Sequence, residues 1–153
     1  MKTVRELIKE AESKLDDEHK DVNVAKVLFY HLAKKEPHEL YLMMNEEVEP
    51  ELEKAFLAGM EEYYQGKPIQ YIKGCESFFS RDFKVNEDVL IPRQDTELLV
   101  ERVLNYLKQK IQGKKVKVLD MCTGSGCIAI SIKKLAENVD VTAVDLSPKA
   151  LKV

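Results

Sequence analysis

The 153-residue chain is poor in the residues that would staple it or hold a metal. Its three cysteines, Cys75, Cys122 and Cys127, are odd in number and show no C-x-x-C spacing. That argues against a disulfide framework and a zinc site, and for a reducing, cytoplasmic setting. His19, His31 and His38 share no metal-ligand spacing, so no metal is expected; His31, on an apolar stripe, reads as a packed histidine. No apolar run approaches the roughly 20 residues of a membrane span. The first residues lead straight into an amphipathic pattern, without the apolar core of a signal peptide.

What is present is 44% apolar and 33% charged residues, the composition of a soluble globular protein. The charge is divided unevenly. Residues 1–74 hold 11 Lys+Arg against 16 Asp+Glu, a net of −5, and residues 75–153 hold 13 against 11, a net of +2. An acidic front half repels phosphate backbones, so a protein or small-molecule partner fits better than nucleic acid.

The front half has helical periodicity throughout. Val4, Leu7, Ile8, Ala11 and Leu15 fall at 3–4 spacing behind a possible Thr3/Glu6 capping box. A second stripe runs Val24, Val27, Leu28, His31 and Leu32 behind Asp21 or Asn23 as cap. A third helix opens at Pro37, and a fourth opens near Pro50 and stops at Gly66. Pro68 to Gly74 reads as a turn or linker. Ser77-Phe78-Phe79 with Asp82 to Val85 reads as a hairpin, and Val89-Leu90-Ile91 as an extended run ended by Pro92. A long helix follows, capped by Asp95 or Thr96, with Leu99, Val103, Leu107 and Ile111 on its apolar side and Gly113 as the stop.

From Lys115 the pattern alternates. Val116, Val118 and Leu119 form a buried strand, Thr123 to Gly126 a tight loop, Ile128 to Ala136 a helix and Val139 to Val144 a second strand; Ser147-Pro148 opens another helix. Strand, helix, strand implies a parallel sheet. The expected fold class is therefore α+β: a small helical bundle over 1–66, a linker with a β-hairpin over 67–92, and the start of a Rossmann-like domain over 93–153. Two parallel strands cannot bury both faces of a doubly wound sheet. The chain is thus expected to be a piece of a longer protein, and its unpaired strand edge to favour association of two copies.

The segment richest in chemistry is Asp120-Met121-Cys122-Thr123-Gly124-Ser125-Gly126, with Asp145 19 residues after Gly126. Glycines let the chain turn sharply from strand to helix and let a ligand approach the backbone, and the second acid is spaced to accept from ribose hydroxyls. Gly124, Gly126 and Ala129 also satisfy a dinucleotide fingerprint. Asp120 argues against that alternative, because a carboxylate beside a pyrophosphate meets like charge. S-adenosyl-L-methionine has a sulfonium and an ammonium group instead, which a carboxylate suits.

Three runs in this order, Gly66-Lys67-Pro68-Ile69-Gln70-Tyr71-Ile72-Lys73-Gly74, Leu90-Ile91-Pro92-Arg93-Gln94-Asp95-Thr96-Glu97 and Asp120 to Gly126, follow a helical front domain. The chain thereby resembles the HemK/PrmC family of release-factor glutamine methyltransferases. The resemblance implies class I methyltransferase chemistry on the Gly-Gly-Gln glutamine of peptide-chain release factors, with S-adenosyl-L-homocysteine as product. It implies that the helical domain engages the release factor. It also implies that Asp120, Cys122, Thr123, Gly124, Ser125, Gly126 and Asp145 line the cofactor, with Arg93, Asp95 and Thr96 flanking the pocket. Cys122 departs from the family loop, which more often has Gly there. The family's Asn-Pro-Pro-Tyr amide clamp is absent, so no catalytic residue is assigned in this chain and no turnover is expected from it alone. Two alternatives are methylation of amino groups on nucleic-acid bases, disfavoured by the −5 front half, and a protein-interaction module without cofactor.

Overall fold

Thr3 starts the first helix through a reciprocal cap. Its hydroxyl accepts the Glu6 N–H at 3.3 Å, and the Glu6 carboxylate accepts the Thr3 N–H at 2.8 Å. The computed structural model describes residues 2–111 and 114–153. In it α1 (Val4–Asp17), α2 (Asn23–Leu32), α3 (Pro37–Met43), α4 (Pro50–Tyr64) and α5 (Ile69–Lys73) belong to one compact unit, Met1–Lys73. Pro37 and Pro50 each sit in the first turn of a helix, where the missing N–H costs nothing. Gly66, at φ 97°, ends α4 as a left-handed cap: its N–H bonds Tyr63 O at 2.9 Å and the Lys67 N–H bonds Glu62 O at 3.1 Å. Asp21 Oδ1 accepts the Asn23 N–H at 2.9 Å just before α2.

The expected turn at Pro68 to Gly74 is instead α5. Ile69 and Ile72 pack against the core of this unit, and that burial makes a helix too short to show periodicity. The core gathers Leu7, Ile8, Leu15, Leu28, Phe29, Phe56 and Met60, all at most 1% exposed, with the Phe29 and Phe56 rings edge to face at 5.8 Å. Met43, Met44, Tyr63 and Tyr64 pack around it. Gly59 lies where α4 passes α2 and α5. A Cβ there would stand 2.9 Å from Leu28 Cδ2 and 3.2 Å from Ile72 Cγ2. Gly59→Ala is therefore expected to destabilise the unit by about 1–2 kcal/mol in urea unfolding: overpacking outweighs the helix-propensity gain of about 1 kcal/mol. A stabilised variant would show that this crossing has room.

The second unit, Gly74–Val153, holds β1 (Cys75–Phe78), β2 (Arg81–Lys84), α6 (Gln94–Lys110), β3 (Val116–Met121), α7 (Cys127–Leu135), β4 (Val139–Val144) and a 3₁₀ turn at Ala150–Lys152. β1 and β2 form an antiparallel hairpin, Cys75 opposite Lys84 and Phe78 opposite Arg81. β3 and β4 run parallel in register from Val116 opposite Val139 to Met121 opposite Val144, with α7 as crossover. The fold is α+β, as the periodicities imply.

Several local expectations shift. Val89 to Ile91 is not a strand; only Val89 is buried, at a turn where its N–H meets Asn86 O at 3.2 Å. α6 begins at Gln94 with Arg93 as its N-cap, which places Asp95 and Thr96 inside the first turn. Its buried side is set by Val100, fully buried, with Val103, Leu104 and Leu107, whereas Leu99 is half exposed. The expected stop, Gly113, lies outside the described residues. In β3, Leu119 is 57% exposed and Val118 faces the core, because helices cover one face of the strand pair among the described residues. The helix expected at Ser147-Pro148 is the 3₁₀ turn, capped by Ser147 Oγ accepting the Ala150 N–H at 3.2 Å.

Candidate functional site

β3 ends at Met121, and the next five residues must reverse direction to enter α7. They do so through three left-handed residues: Cys122 at φ 61°, Gly124 at 56° and Gly126 at 76°. The loop is then fastened at both ends. Thr123, 9% exposed, sends its hydroxyl to Asp120 Oδ2 at 2.7 Å and its N–H to Val144 O at 3.0 Å. The Gly126 N–H closes a turn on Thr123 O at 2.9 Å. The Gly124 N–H donates to Asp145 Oδ2 at 2.9 Å, while Asp145 Oδ1 accepts the Ser147 N–H at 2.9 Å. The two Asp145 bonds, Ser147's first and Gly124's next, hold its carboxyl below the ordinary aspartate range.

The fold thus brings Asp120, Thr123, Gly124 and Asp145 together at the carboxyl ends of β3 and β4, where open parallel sheets place their ligands. A Cβ on Gly124 would meet no heavy atom within 4 Å, so this side of the loop is open. Gly126 is tighter: a Cβ there would stand 3.2 Å from Ile130 Cδ1. Ser125 is half-buried and Cys122 exposed. Burial pushes the Cys127 thiol up, which suits a packed residue and not a nucleophile. Arg93 and Asp95 are exposed and Thr96 half-buried at the start of α6; none makes a hydrogen bond to the loop among those described. Among the described residues no group of His, Cys, Asp or Glu is arranged to hold a metal, and no helix is long and apolar enough to cross a membrane.

Sequence reasoning overlooked Ser147 and the way Asp145 is shared. The spacing places an acid after β4, but only the folded loop shows that both of its oxygens already accept backbone N–H groups. The signal for Ser147 was its position two residues after Asp145, the spacing of an Asx turn.

Cys122 carries a side chain at a left-handed position, which costs a non-glycine residue about 1–2 kcal/mol. Glycine adds about 0.5–1 kcal/mol of unfolded-chain entropy. Because the thiol is exposed, little packing is lost. Cys122→Gly is expected to raise stability by about 0.5–1 kcal/mol in urea titration, and a destabilised variant would mean that the side chain is supported.

Residues 6–74 match the family model described as the PrmC N-terminal domain. The release factor glutamine methyltransferase of Bacillus cereus is 37% identical over 150 residues, 98% of this chain and 53% of the relative. That of Bacillus subtilis is 36% identical over 154 residues, all of this chain and 54% of the relative. That of Flavobacterium psychrophilum is 52% identical over 85 residues, 56% of this chain and 30% of the relative. The chain spans about half the length of the Bacillus relatives it matches. With the helical unit under the family model and the glycine loop at the carboxyl edge of β3 and β4, the chain is similar along its whole length to about half of a release factor glutamine methyltransferase, residues 6–74 matching the PrmC N-terminal domain.

Proposed function

We propose that the whole protein transfers a methyl group from S-adenosyl-L-methionine to the side-chain amide of the Gly-Gly-Gln glutamine in peptide-chain release factors, in the cytoplasm, leaving S-adenosyl-L-homocysteine. The observation that carries the cofactor reading is the pairing of Asp120 and Asp145 around an open glycine loop. Asp120 at the mouth of the loop disfavours a pyrophosphate and favours a cationic ligand, and Asp145 suits a ribose. The residues present fit such a group: Gly124 leaves space beside the backbone, and each Asp145 oxygen keeps a lone pair beyond the one its backbone donor uses.

In this reading Asp145 holds the ribose hydroxyls, and Thr123 to Gly126 shape the wall against which the methionine part lies. Asp120, its carboxylate oriented by the Thr123 hydroxyl, supplies negative charge near the ammonium. Cys122 lies at the loop's entry, and Arg93, Asp95 and Thr96 flank the pocket. The bound cofactor supplies an electrophilic methyl group; the protein contributes orientation and electrostatics. Residues 1–66 serve as the docking domain for the release factor and 67–92 as the link to the catalytic domain. Their net acidity suits a protein partner over nucleic acid. The present chain lacks the Asn-Pro-Pro-Tyr clamp, and a glutamine amide reacts only when held in line with the methyl carbon, so the 153 residues alone are inactive. The outer edges of the two-stranded β3–β4 sheet, unpaired among the described residues, favour pairing of copies.

Isothermal titration of the chain with S-adenosyl-L-homocysteine and with NAD tests the cofactor. Micromolar binding of the first and none of the second is expected; the reverse would defeat the reading. Release factor methylation by the chain at the rate of a full-length relative would overturn the claim of inactivity.

A further inference from the structure

β1 and β2 are joined by Phe79 and Ser80 alone, and both stand in the left-handed region, at φ 52° and 57°. A two-residue hairpin loop of this kind ordinarily takes Asn-Gly or Asp-Gly, because other side chains are strained there. Neither residue relieves the strain locally. The Phe79 ring, centred 6.1 Å from that of Phe78, is committed to the core of this unit, and Ser80 is exposed. The support comes from another element. Glu97, in the first turn of α6, accepts the Phe79 N–H through Oε1 at 2.8 Å.

That bond joins residues 18 apart in the chain and closes the loop between them. The enclosed stretch contains β2, buried Val85 and Val89, and a turn in which the Asp88 N–H reaches Asn86 Oδ1 at 2.9 Å. It also contains Arg93, Asp95 and Thr96. Asp88 Oδ1 lies 3.8 Å from Lys149 Nζ, two residues beyond Ser147, whose N–H is bound by Asp145. The closed loop therefore runs beside the segment that follows the Asp145 end of β4.

We propose that Glu97 is a positioning residue, a clasp that holds the strained Phe79–Ser80 turn and thereby fixes the 80–96 loop beside the carboxyl edge of β3 and β4. An acid in a first helical turn ordinarily complements the helix dipole. Here the same carboxylate is spent on a backbone donor of the hairpin, a donor that a two-residue turn leaves without a nearby acceptor. That the fixed loop flanks a cofactor rests on the function proposed above; the clasp itself does not.

The test is amide hydrogen exchange on the isotope-labelled 153-residue chain, with S-adenosyl-L-homocysteine titrated in parallel. Glu97→Ala is expected to speed exchange at Phe79 about tenfold or more, the effect of losing a bond to a charged acceptor. Glu97→Gln keeps an oxygen in place and should stay within about threefold of the parent. Glu97→Ala should also speed exchange at the ladder amides of β1 and β2; adding Ser80→Gly should restore part of that ladder protection, because glycine removes the strain that the clasp opposes, while Phe79, without its acceptor, stays fast. Ligand affinity should follow the same order. A parent-like exchange rate in Glu97→Ala, a Glu97→Gln rate equal to that of Glu97→Ala, or no ladder recovery with Ser80→Gly would overturn the proposal. Failure of the parent chain to bind S-adenosyl-L-homocysteine would count against the cofactor reading, while the exchange rates would still decide the clasp.

Discussion

Phe56→Ala is expected to cost the helical unit about 3–5 kcal/mol, close to all the stability that a unit of some 70 residues draws from a single core. Phe56 is fully buried, as are Phe29, Leu28 and Leu15. Its ring meets Phe29 edge to face at 5.8 Å, so the substitution removes an aromatic pair as well as apolar area. The cavity would open on side chains from several helices, held in place by the Thr3 cap and the Gly66 turn, and collapse around it would be partial. Far-UV circular dichroism during urea unfolding should show the midpoint of the helical transition falling steeply. Leu42→Ala is the control: at 82% exposure it should shift stability by no more than about 0.5 kcal/mol. Equal effects from the two variants would mean that the core is misassigned.

The contrast between Phe56 and Leu42 also marks what could be read before the fold was known. Signals confined to one turn were legible: the Thr3/Glu6 box, Pro37 and Pro50 at helix starts and Gly66 at a stop each depend on neighbours within six residues. β4 was legible to the residue, because six alternating or β-branched positions stand between polar ends. α5 was not, since its five residues hold less than two turns and become helical by packing Ile69 and Ile72. On α6 the four-residue spacing found Val103 and Leu107 but began one residue early, at exposed Leu99; Val100, three residues before Val103, fits the stripe equally well, and only the position of the hairpin's Phe78 and of α7 chooses between them.

For the candidate site, the loop and the acid beyond it were visible as spacing. The bonds that tie Gly124 and Ser147 to Asp145, and Phe79 to Glu97, join segments 2 to 21 residues apart. The longer of these depend on register between elements, which a linear pattern does not encode. Glu97 in particular stood inside a motif where its neighbours Arg93, Asp95 and Thr96 drew the functional reading, while the side chain that accepts a hydrogen bond from the hairpin is that of Glu97.

Asp145→Asn is expected to lower affinity for S-adenosyl-L-homocysteine by on the order of 100-fold, more than the near-identity of shape suggests. In the parent both carboxylate oxygens accept, one from Gly124 and one from Ser147, each at 2.9 Å. An asparagine has one oxygen and one amino group. Whichever way it is turned, a donor faces a donor, and either the loop or the Ser147 turn loses its anchor. The ribose hydroxyls would then meet a neutral group on a loosened loop, so binding suffers twice. Acid should reproduce the effect. The Asp145 pKa is lowered in the folded chain relative to an unfolded value of about 3.9. Its stabilisation is therefore fully present above that unfolded value and is lost as pH falls through the lowered folded one. Exchange at the Gly124 amide should be independent of Asp145 titration between about pH 5 and 8, and protection should fall only in stronger acid. The asparagine variant should show weak protection throughout and no acid limb. If Asp145→Asn binds within about threefold of the parent, Asp145 is a structural turn residue and the ribose contact must be sought elsewhere.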